Sequence, residues 1–383
     1  MKKFLLFMLF ILFEINGAYA TTPKFSVTTI NMNAGDTFSF GMSAAGTFTV
    51  DCGDGGVLSG TGVSGNTIDR TSNNNYASYT CTYSTGGVKT IGFDGLATGY
   101  NSVITDAPNA AINFYLGTPQ KIVTVSGSLG AIFPTLGQSD NLQPAFYETF
   151  RGCTLLTNIP GNLFDGVTGY RAITYSGTFR ECTSLTSVPN GLFSGFTGGD
   201  WSFSYTFLGD INLLSIPADL FSDVTVASEY MFRMTFRDCV QLKGYILPSM
   251  FAGLINNGAQ TAVGIWNLTF YATQLDTLCP NGTEQYITGY ESAWASESGR
   301  AVVSCETGIA STSYVQGMYE AINNSKMAKL NPNSIEFTAD SSPYGFFTAV
   351  EGAGDKFRFK REEITLPFGS YDNPTGRMSI WLE

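Results

Sequence analysis

The chain has 383 residues, with 20 Lys and Arg against 31 Asp and Glu, a formal net charge of −11 and no histidine. The missing histidine excludes Ser-His-Asp and Cys-His catalysis, and the negative charge disfavours nucleic acid and anionic membranes as partners. A charged fraction of only 13% with abundant Gly is typical of β-rich extracellular modules, and the length predicts more than one domain.

Residues 1–20 predict a cleavable secretory signal. Lys2 and Lys3 precede an apolar run from Phe4 to Phe13, and Ala-Tyr-Ala ends the segment at 18–20. This run is too short to cross a bilayer, and no other stretch reaches the length that a membrane helix needs. We therefore expect a mature chain that begins at Thr21 and is secreted, without direct insertion into a membrane.

Residues 21–125 predict an antiparallel β-sandwich. Apolar and polar residues alternate in short segments that are separated by Gly- and Asn-rich turns, as expected for half-buried strands. The predicted strands are 24–30, 37–42, 46–53, 76–83, 88–93 and 111–116.

Two of these segments carry a family resemblance. "GTFTVDCGDGG" at 46–56 and "YTCTYSTGGVKTIGF" at 79–93 resemble the paired strands of polycystic-kidney-disease-type β-sandwiches. That family usually has an aromatic residue where this chain has Cys52, and a second cysteine, Cys81, lies on the strand expected nearby. We therefore expect a Cys52–Cys81 disulfide in an oxidising compartment.

Residues 126–280 contain an internal repeat. The pair Thr-Phe recurs with its Phe at positions 150, 179, 207, 236 and 270, and an aromatic residue stands four positions before each one. Because residues four apart share a face of a helix, this spacing predicts one short helix in each repeat, presenting two stacked rings. The position three residues after each Phe is occupied in turn by Cys153, Cys182, Asp210, Cys239 and Thr273.

Leucine and proline follow at regular intervals, and stacked copies of such a unit would share one core. The pattern Phe-x-x-Cys-x-x-Leu-x-x-Ile/Val-Pro resembles the BspA-like leucine-rich repeats of bacterial surface proteins. The resemblance implies a solenoid of about five repeats. It also implies a non-enzymatic role at the bacterial surface, with adhesion to host or neighbouring-cell proteins or glycans as the leading use.

The recurring cysteine position indicates a ladder residue and not a nucleophile. Adjacent coils lie about 4.8 Å apart, so Cys153 and Cys182 could be bridged if their side chains point towards each other. Cys239 lies two coils beyond Cys182 and is expected to be a buried free thiol.

The C-terminal part predicts two further units. Residues 281–330 form a connector, for which a Cys279–Cys305 disulfide and a helix through 315–322 are expected. Residues 331–383 read as strands of a small β domain. The predicted fold class is thus mainly β with short helices.

Several motifs have both a chemical and a structural interpretation. Asp51 and Asp54 could bind calcium, but a tight turn is the favoured interpretation. "GTGVSG" at 60–65 matches a dinucleotide fingerprint without the helix that must follow it, so a β-turn is favoured. The carboxylates of Glu148, Asp165, Glu181 and Asp210 are the basis of a glycosidase alternative. We expect no catalytic residues, no metal site and no cofactor.

Aromatic residues outside the repeat phase are the candidates for ligand binding, because such positions lie in loops where binding surfaces of repeat proteins occur. The candidates are Tyr170, Trp201, Tyr230 and Tyr245, and the alternative is that they are solvated edge residues. Besides adhesion, two functions stay open: a carbohydrate-binding or glycan-degrading surface protein, and a structural component of the cell envelope.

Overall fold

The structure is a computed structural model. It describes residues 22–104, 107–243 and 248–256, residues 265, 269, 270 and 273, and four two-residue strands nearer the C-terminus. Within these residues the protein is mainly β, as predicted. Its helical elements are short: 3-10 turns at Ala107–Asn109, Pro119–Lys121, Asp140–Leu142 and Pro248–Phe251, and the α-helix α1 at Ala252–Asn256.

Ten strands form two antiparallel sheets between residues 25 and 127. In chain order they are β1 (Phe25–Met32), β2 (Thr37–Met42), β3 (Ala45–Asp51), β4 (Val57–Gly60), β5 (Val63–Ser64), β6 (Thr67–Arg70), β7 (Ala77–Thr82), β8 (Gly87–Gly99), β9 (Ile112–Asn113) and β10 (Ile122–Gly127). One sheet has the order β10-β1-β8-β3-β6-β5, and the other has the order β4-β7-β2-β9. We call these two sheets the sheet pair.

The inner faces of the sheet pair meet in an aromatic core. Alternate residues of β1 and β2 are buried, which is the period-two pattern of the sequence. Phe40 of β2 lies 5.0 Å from Phe93 of β8, ring centre to ring centre, in an edge-to-face contact between the sheets. Cys52 and Cys81 form the predicted disulfide, with Cα atoms 5.6 Å apart. Strands β4, β5, β6 and β10 were not predicted.

After β10 the chain forms four stacked segments of turns, which we call the first (144–153), second (173–182), third (201–210) and fourth (230–239) turn segments. In each segment alternate backbone amides donate to carbonyls of the next segment. The amides of Phe146, Glu148 and Phe150, for example, donate to Thr174, Ser176 and Thr178 at 2.6, 2.9 and 2.8 Å. The amides between them bond to the carbonyl three residues back within their own segment.

The predicted short helix in each repeat is wrong. Every fourth residue of the turn segments has a left-handed backbone, for example Glu148 (φ 51°), Glu181 (φ 63°) and Trp201 (φ 58°), which an α-helix does not allow. Each four-residue turn still returns the chain to the same face. Rings four residues apart therefore share the core face, as predicted, but on consecutive tight turns.

The repeated aromatic residues form three columns through the core. Phe150, Phe179, Phe207, Phe236 and Phe270 stack at 5.3–5.6 Å with interplanar angles of at most 8°. Phe146, Tyr175, Phe203 and Phe232 form a second column, and Phe164, Phe193, Phe221 and Phe251 a third. Such ring pairs contribute about 0.5–1.5 kcal/mol each beyond the burial of their area, so the columns bind successive segments together.

The sheet pair covers the first turn segment. The amides of Ala111 and Phe114 donate to the carbonyls of Ala145 and Thr149 at 2.8 and 2.9 Å. Asn113 Nδ2 donates to two further carbonyls of the same segment, those of Tyr147 and Glu148. The Phe114 ring stacks on Phe150 at 5.3 Å. The sheet pair thus donates hydrogen bonds to the first segment, just as each segment donates hydrogen bonds to the next.

The remaining strands are short. β11 (Gly169–Tyr170) pairs in parallel with β12 (Phe196–Gly198). The strand β13 (Ile287–Thr288) pairs with β15 (Lys356–Phe357), and β14 (Ile335–Glu336) pairs with β16 (Ser379–Ile380), both antiparallel. The predicted signal, the Cys279–Cys305 disulfide, the helix at 315–322, Tyr245 and most of the predicted C-terminal domain lie outside the described residues.

Candidate functional site

The recurring cysteine position lies inside the core. Cys153, Cys182, Asp210 and Cys239 are fully buried, and Thr273 is 2% exposed. The three cysteines are free, so Cys153 and Cys182 are not bridged. Cys182 Sγ donates to the carbonyl of Phe150, and Cys239 Sγ to that of Phe207, at 3.2 and 3.1 Å. Burial raises the pKa of all three thiols well above the usual range, which makes them poor nucleophiles.

The four carboxylates of the glycosidase alternative do not form an open pair within the described residues. Glu148 and Glu181 share one guanidinium, that of Arg151, at 2.8 and 3.7 Å. Asp210 is buried in the core and Asp165 is exposed on a separate loop. A glycosidase needs one carboxylate at each side of an accessible sugar bond, so this arrangement does not support that alternative.

The turn interpretation of "DCGDGG" is favoured by the contacts of both aspartates. Asp51 Oδ1 accepts a hydrogen bond from the amide of Gly53 at 2.9 Å. Asp54 accepts from Nζ of Lys89, also at 2.9 Å, and the Lys89 side chain is fully buried. A lysine ammonium thus occupies the place where calcium would need oxygen ligands. Among the described residues no group of three His, Cys, Asp or Glu side chains is placed to hold a metal ion.

The motif "GTGVSG" belongs to a hairpin. Gly60 ends β4, and Gly62 and Gly65 have positive φ. Strand β5 lies within the motif and pairs with β6, which begins directly after it. A strand follows where a dinucleotide site needs the N-terminus of a helix. The β-turn interpretation is therefore confirmed.

Two of the predicted ligand-binding residues meet on the surface of the turn segments. Trp201 and Tyr230 stand at the same place in the third and fourth segments, and their ring centres are 4.5 Å apart. Tyr170, 44% exposed, lies on β11, and its hydroxyl is 3.4 Å from Oγ of Ser228. The structure therefore brings Trp201 and Tyr230 together and places Tyr170 on a neighbouring strand.

An arginine that the sequence did not single out completes this cluster. The guanidinium of Arg233 lies 5.3 Å from the ring centre of Trp201, 5.4 Å from that of Tyr230 and 5.7 Å from that of Tyr205. A guanidinium over aromatic faces is attracted by their electron density. The cluster spans the third and fourth turn segments.

The cluster continues towards the sheet pair. Burial raises the pKa of the Tyr147 phenol, in the first segment; the charge of Glu148 acts in the same direction, and the charges of Arg151 and Arg180 oppose it. All these side chains are half-buried at the surface. We call the set the aromatic–arginine stripe; it consists of Tyr147, Arg180, Trp201, Tyr205, Tyr230 and Arg233.

Three rings of the stripe stand on a strained backbone. Trp201, Tyr205 and Tyr230 have φ values of 58°, 59° and 49°, a region that favours glycine. The second segment has Gly177 at the place of Tyr205, with φ 63°. A left-handed non-glycine residue costs about 1–2 kcal/mol, and the core columns are complete without these rings. The same left-handed corner recurs in every turn segment, for example at Ile173 and Met234, so this strain belongs to the repeat as a whole.

Comparison with family models, with curated proteins and with solved structures finds no match for this chain. In the described part of the chain no helix is both long enough and apolar enough to cross a membrane. The two family resemblances therefore depend on the residues quoted for them.

Proposed function

We propose that this protein is a secreted, non-enzymatic binding protein of a bacterial surface, which holds a macromolecule against the outer side of its turn segments. In this proposal residues 126–280 are a leucine-rich-repeat solenoid of the BspA-like kind, and residues 21–125 are a polycystic-kidney-disease-like β-sandwich at its N-terminal end. The repeat pattern and the stacked ring columns support the solenoid. Adhesion to host or neighbouring-cell components is the use that this architecture suits best.

The observation that carries the binding role is the surface cluster in which the rings of Trp201, Tyr205 and Tyr230 surround the guanidinium of Arg233. These three rings are half-buried at the surface and take no part in the three core columns. Large, rigid, amphipathic rings at a surface are instead typical of recognition sites. A purely structural envelope component would not need them.

The test is retention of the secreted chain on arrays of immobilised glycans and extracellular proteins. We expect retention, and we expect Trp201→Ala to reduce it, while Leu214→Ala leaves it unchanged, because Leu214 is an exposed residue outside the stripe. Absence of retention on every array would contradict the proposal. Hydrolysis of a glycan that Glu181→Gln abolishes would replace it with the glycosidase alternative.

A further inference from the structure

We propose that Asn190 is a modification site at which the folded chain deamidates itself, with aspartate and isoaspartate as the products. The site is the turn that follows the second turn segment, where Asn190 precedes Gly191. It depends on the chemistry of this turn and not on the binding role proposed above. Three observations carry it: the residue pair, the freedom of the peptide between its members, and the contrast with Asn162 one repeat earlier.

The reaction needs only the chain and water. The backbone nitrogen of Gly191 loses its proton and bonds to Cγ of Asn190, and the side-chain nitrogen takes up a proton and leaves as ammonia. A five-membered succinimide ring results. Water then opens the ring: cleavage between the nitrogen and Cγ gives aspartate, and cleavage between the nitrogen and the backbone carbon gives isoaspartate. One water is consumed and one ammonia is released.

The residue pair is the one that favours this ring closure. The chain has four Asn-Gly pairs, and only Asn190-Gly191 lies within the described residues. Asn190 is exposed, so water reaches its side chain. Gly191 has no Cβ that would block the approach of its nitrogen to Cγ of Asn190. Asn-Gly is also a pair that tight turns select, and Gly191 has the positive φ, 64°, that such a turn requires.

The peptide that joins Asn190 to Gly191 is free to rotate. Neither the carbonyl of Asn190 nor the amide of Gly191 has a hydrogen-bond partner within the described residues. Ring closure requires this peptide to turn until its nitrogen faces the Asn190 side chain. Because no backbone hydrogen bond has to break, and because exposed turns open at a low free energy, the folded chain reaches this geometry without opening its core.

The corresponding turn of the preceding repeat is held in place. Asn162 is exposed as well, but it is followed by Leu163, which is fully buried. The peptide between them is tied at both ends: the amide of Leu163 donates to the carbonyl of Pro160 at 3.1 Å, and the amide of Asp165 donates to the carbonyl of Asn162 at 3.2 Å. Rotation of this peptide would break both bonds and move a core side chain. Asn162 is therefore an internal control for Asn190.

The isoaspartate product affects the core of the stack. Its main chain runs through Cβ and Cγ of residue 190, which lengthens the turn by one backbone atom. Phe193, three residues later, is 2% exposed and stacks between Phe164 and Phe221 at 6.0 and 5.9 Å. A longer turn displaces the entry into this column, whereas aspartate only adds a negative charge at an exposed position. The stack thus records the time that a chain has spent in solution.

The experiment follows Asn190 and Asn162 in the same folded chain. The chain is incubated in water enriched in heavy oxygen, digested and analysed by peptide mass spectrometry, with isoaspartate separated from aspartate by chromatography. We expect Asn190 to exchange its amide for a carboxyl with heavy oxygen at least about tenfold faster than Asn162, which corresponds to a barrier about 1.4 kcal/mol lower. The rate should rise with pH, because the nitrogen of Gly191 attacks after it has lost its proton.

Two variants separate the parts of the inference. Gly191→Asn should slow the reaction at Asn190 severalfold, because asparagine adds a Cβ and still accepts a left-handed backbone. Asn190→Asp carries the charge of one product without the extra backbone atom, so the fresh variant should unfold at the temperature of the fresh unmodified chain. The aged chain should unfold at a lower temperature, by an amount that increases with its isoaspartate content.

Two results would overturn the inference. The first is an Asn190 amide that persists in the folded chain as long as that of Asn162. The second is a reaction at Asn190 that occurs in denaturant and is suppressed in the folded chain, since it would show that the fold protects this turn. Neither result affects retention on glycan or protein arrays, which tests the binding role by itself.

Discussion

The backbone amide of Cys182 donates a hydrogen bond to Oδ1 of Asp210, 2.8 Å away, across the joint between the second and third turn segments. Asp210 occupies the cysteine position, and Oδ2 of its fully buried carboxyl makes no hydrogen bond within the described residues. Burial raises the pKa of this carboxyl well above its usual range, and the charge of Glu181 acts in the same direction. We infer that Asp210 is neutral in the folded protein and replaces the thiol found in the other segments.

Asp210→Asn should stabilise the protein, and more so as pH rises. The pKa of Asp210 is higher in the folded protein than in the unfolded chain. The neutral carboxyl therefore contributes fully to folding stability below the unfolded pKa of about 3.9. This contribution is lost as pH rises through the folded pKa. Asparagine keeps the oxygen for the amide of Cys182 and cannot ionise. We expect a gain of about 1–3 kcal/mol near neutral pH and a smaller gain at pH ~4, measured by thermal unfolding at both.

Asp165→Asn is the matched control for this change. Asp165 is exposed, so its substitution should alter the unfolding temperature little at either pH. An Asp210→Asn effect of equal size at both pH values would contradict a neutral Asp210.

The three thiols of the turn segments should not react in the folded protein. Cys153, Cys182 and Cys239 are fully buried, and burial raises the pKa of each thiol. In a chain with Cys279→Ser and Cys305→Ser, Ellman's reagent at pH ~8 should release colour only after denaturant is added. Rapid release from the native chain would show that these positions open to solvent and would contradict their role as core residues.

Asn113→Ala should loosen the first turn segment and spare the third. Asn113 Nδ2 donates to the carbonyls of Tyr147 and Glu148; after the substitution the Tyr147 carbonyl would lose this donor, and the Glu148 carbonyl would keep only the amide of Arg151. We expect a loss of about 1–3 kcal/mol, with faster hydrogen exchange at Glu148 than at Tyr205. Asn212→Ala removes an exposed amide contact from the stack and serves as the control. An equal increase of exchange along all segments would show that Asn113 has no local capping role.

Removal of the Cys52–Cys81 disulfide should destabilise the sheet pair. The bond closes a loop with a sequence separation of 29 residues, for which chain entropy predicts about 2–4 kcal/mol. Urea unfolding of the double variant Cys52→Ala and Cys81→Ala measures the loss. Because both half-cystines are buried, dithiothreitol should leave the native protein unchanged. Unfolding of the double variant at the urea concentration of the unaltered chain would contradict this prediction.

The repeat was predictable from sequence because its core positions recur in phase. Phe150, Phe179 and Phe207 are each buried on the same column. The conformation between Phe146 and Phe150 was not predictable by the same reasoning. A spacing of four fits an α-helix as well as one tight turn with a left-handed corner, and at that corner Glu148 carries none of the glycine signal that would have distinguished them.

The candidate site was predictable in part for a similar reason. Trp201 and Tyr230 differ by 29 residues, which is the repeat length, so their contact follows from the register of Phe203 and Phe232. Arg233 stands one residue out of register with Tyr205, and its place among three rings depends on where a long side chain folds over the neighbouring segment. The position of the Arg233 side chain is determined by side-chain packing, which the periodicity of the sequence does not reveal.

The direction of the hydrogen bonds between segments has a consequence for how such a chain can change its length. Each segment receives donors from the one before it and passes donors to the one after it, and the sheet pair supplies the first set. Gain or loss of one whole unit of 28 or 29 residues, the usual spacing of the Thr-Phe pairs, would therefore leave the backbone hydrogen-bond pattern of each joint the same. Duplication or deletion of one unit within the gene can therefore extend or shorten the surface of this protein stepwise, with the backbone pairing of both neighbours kept.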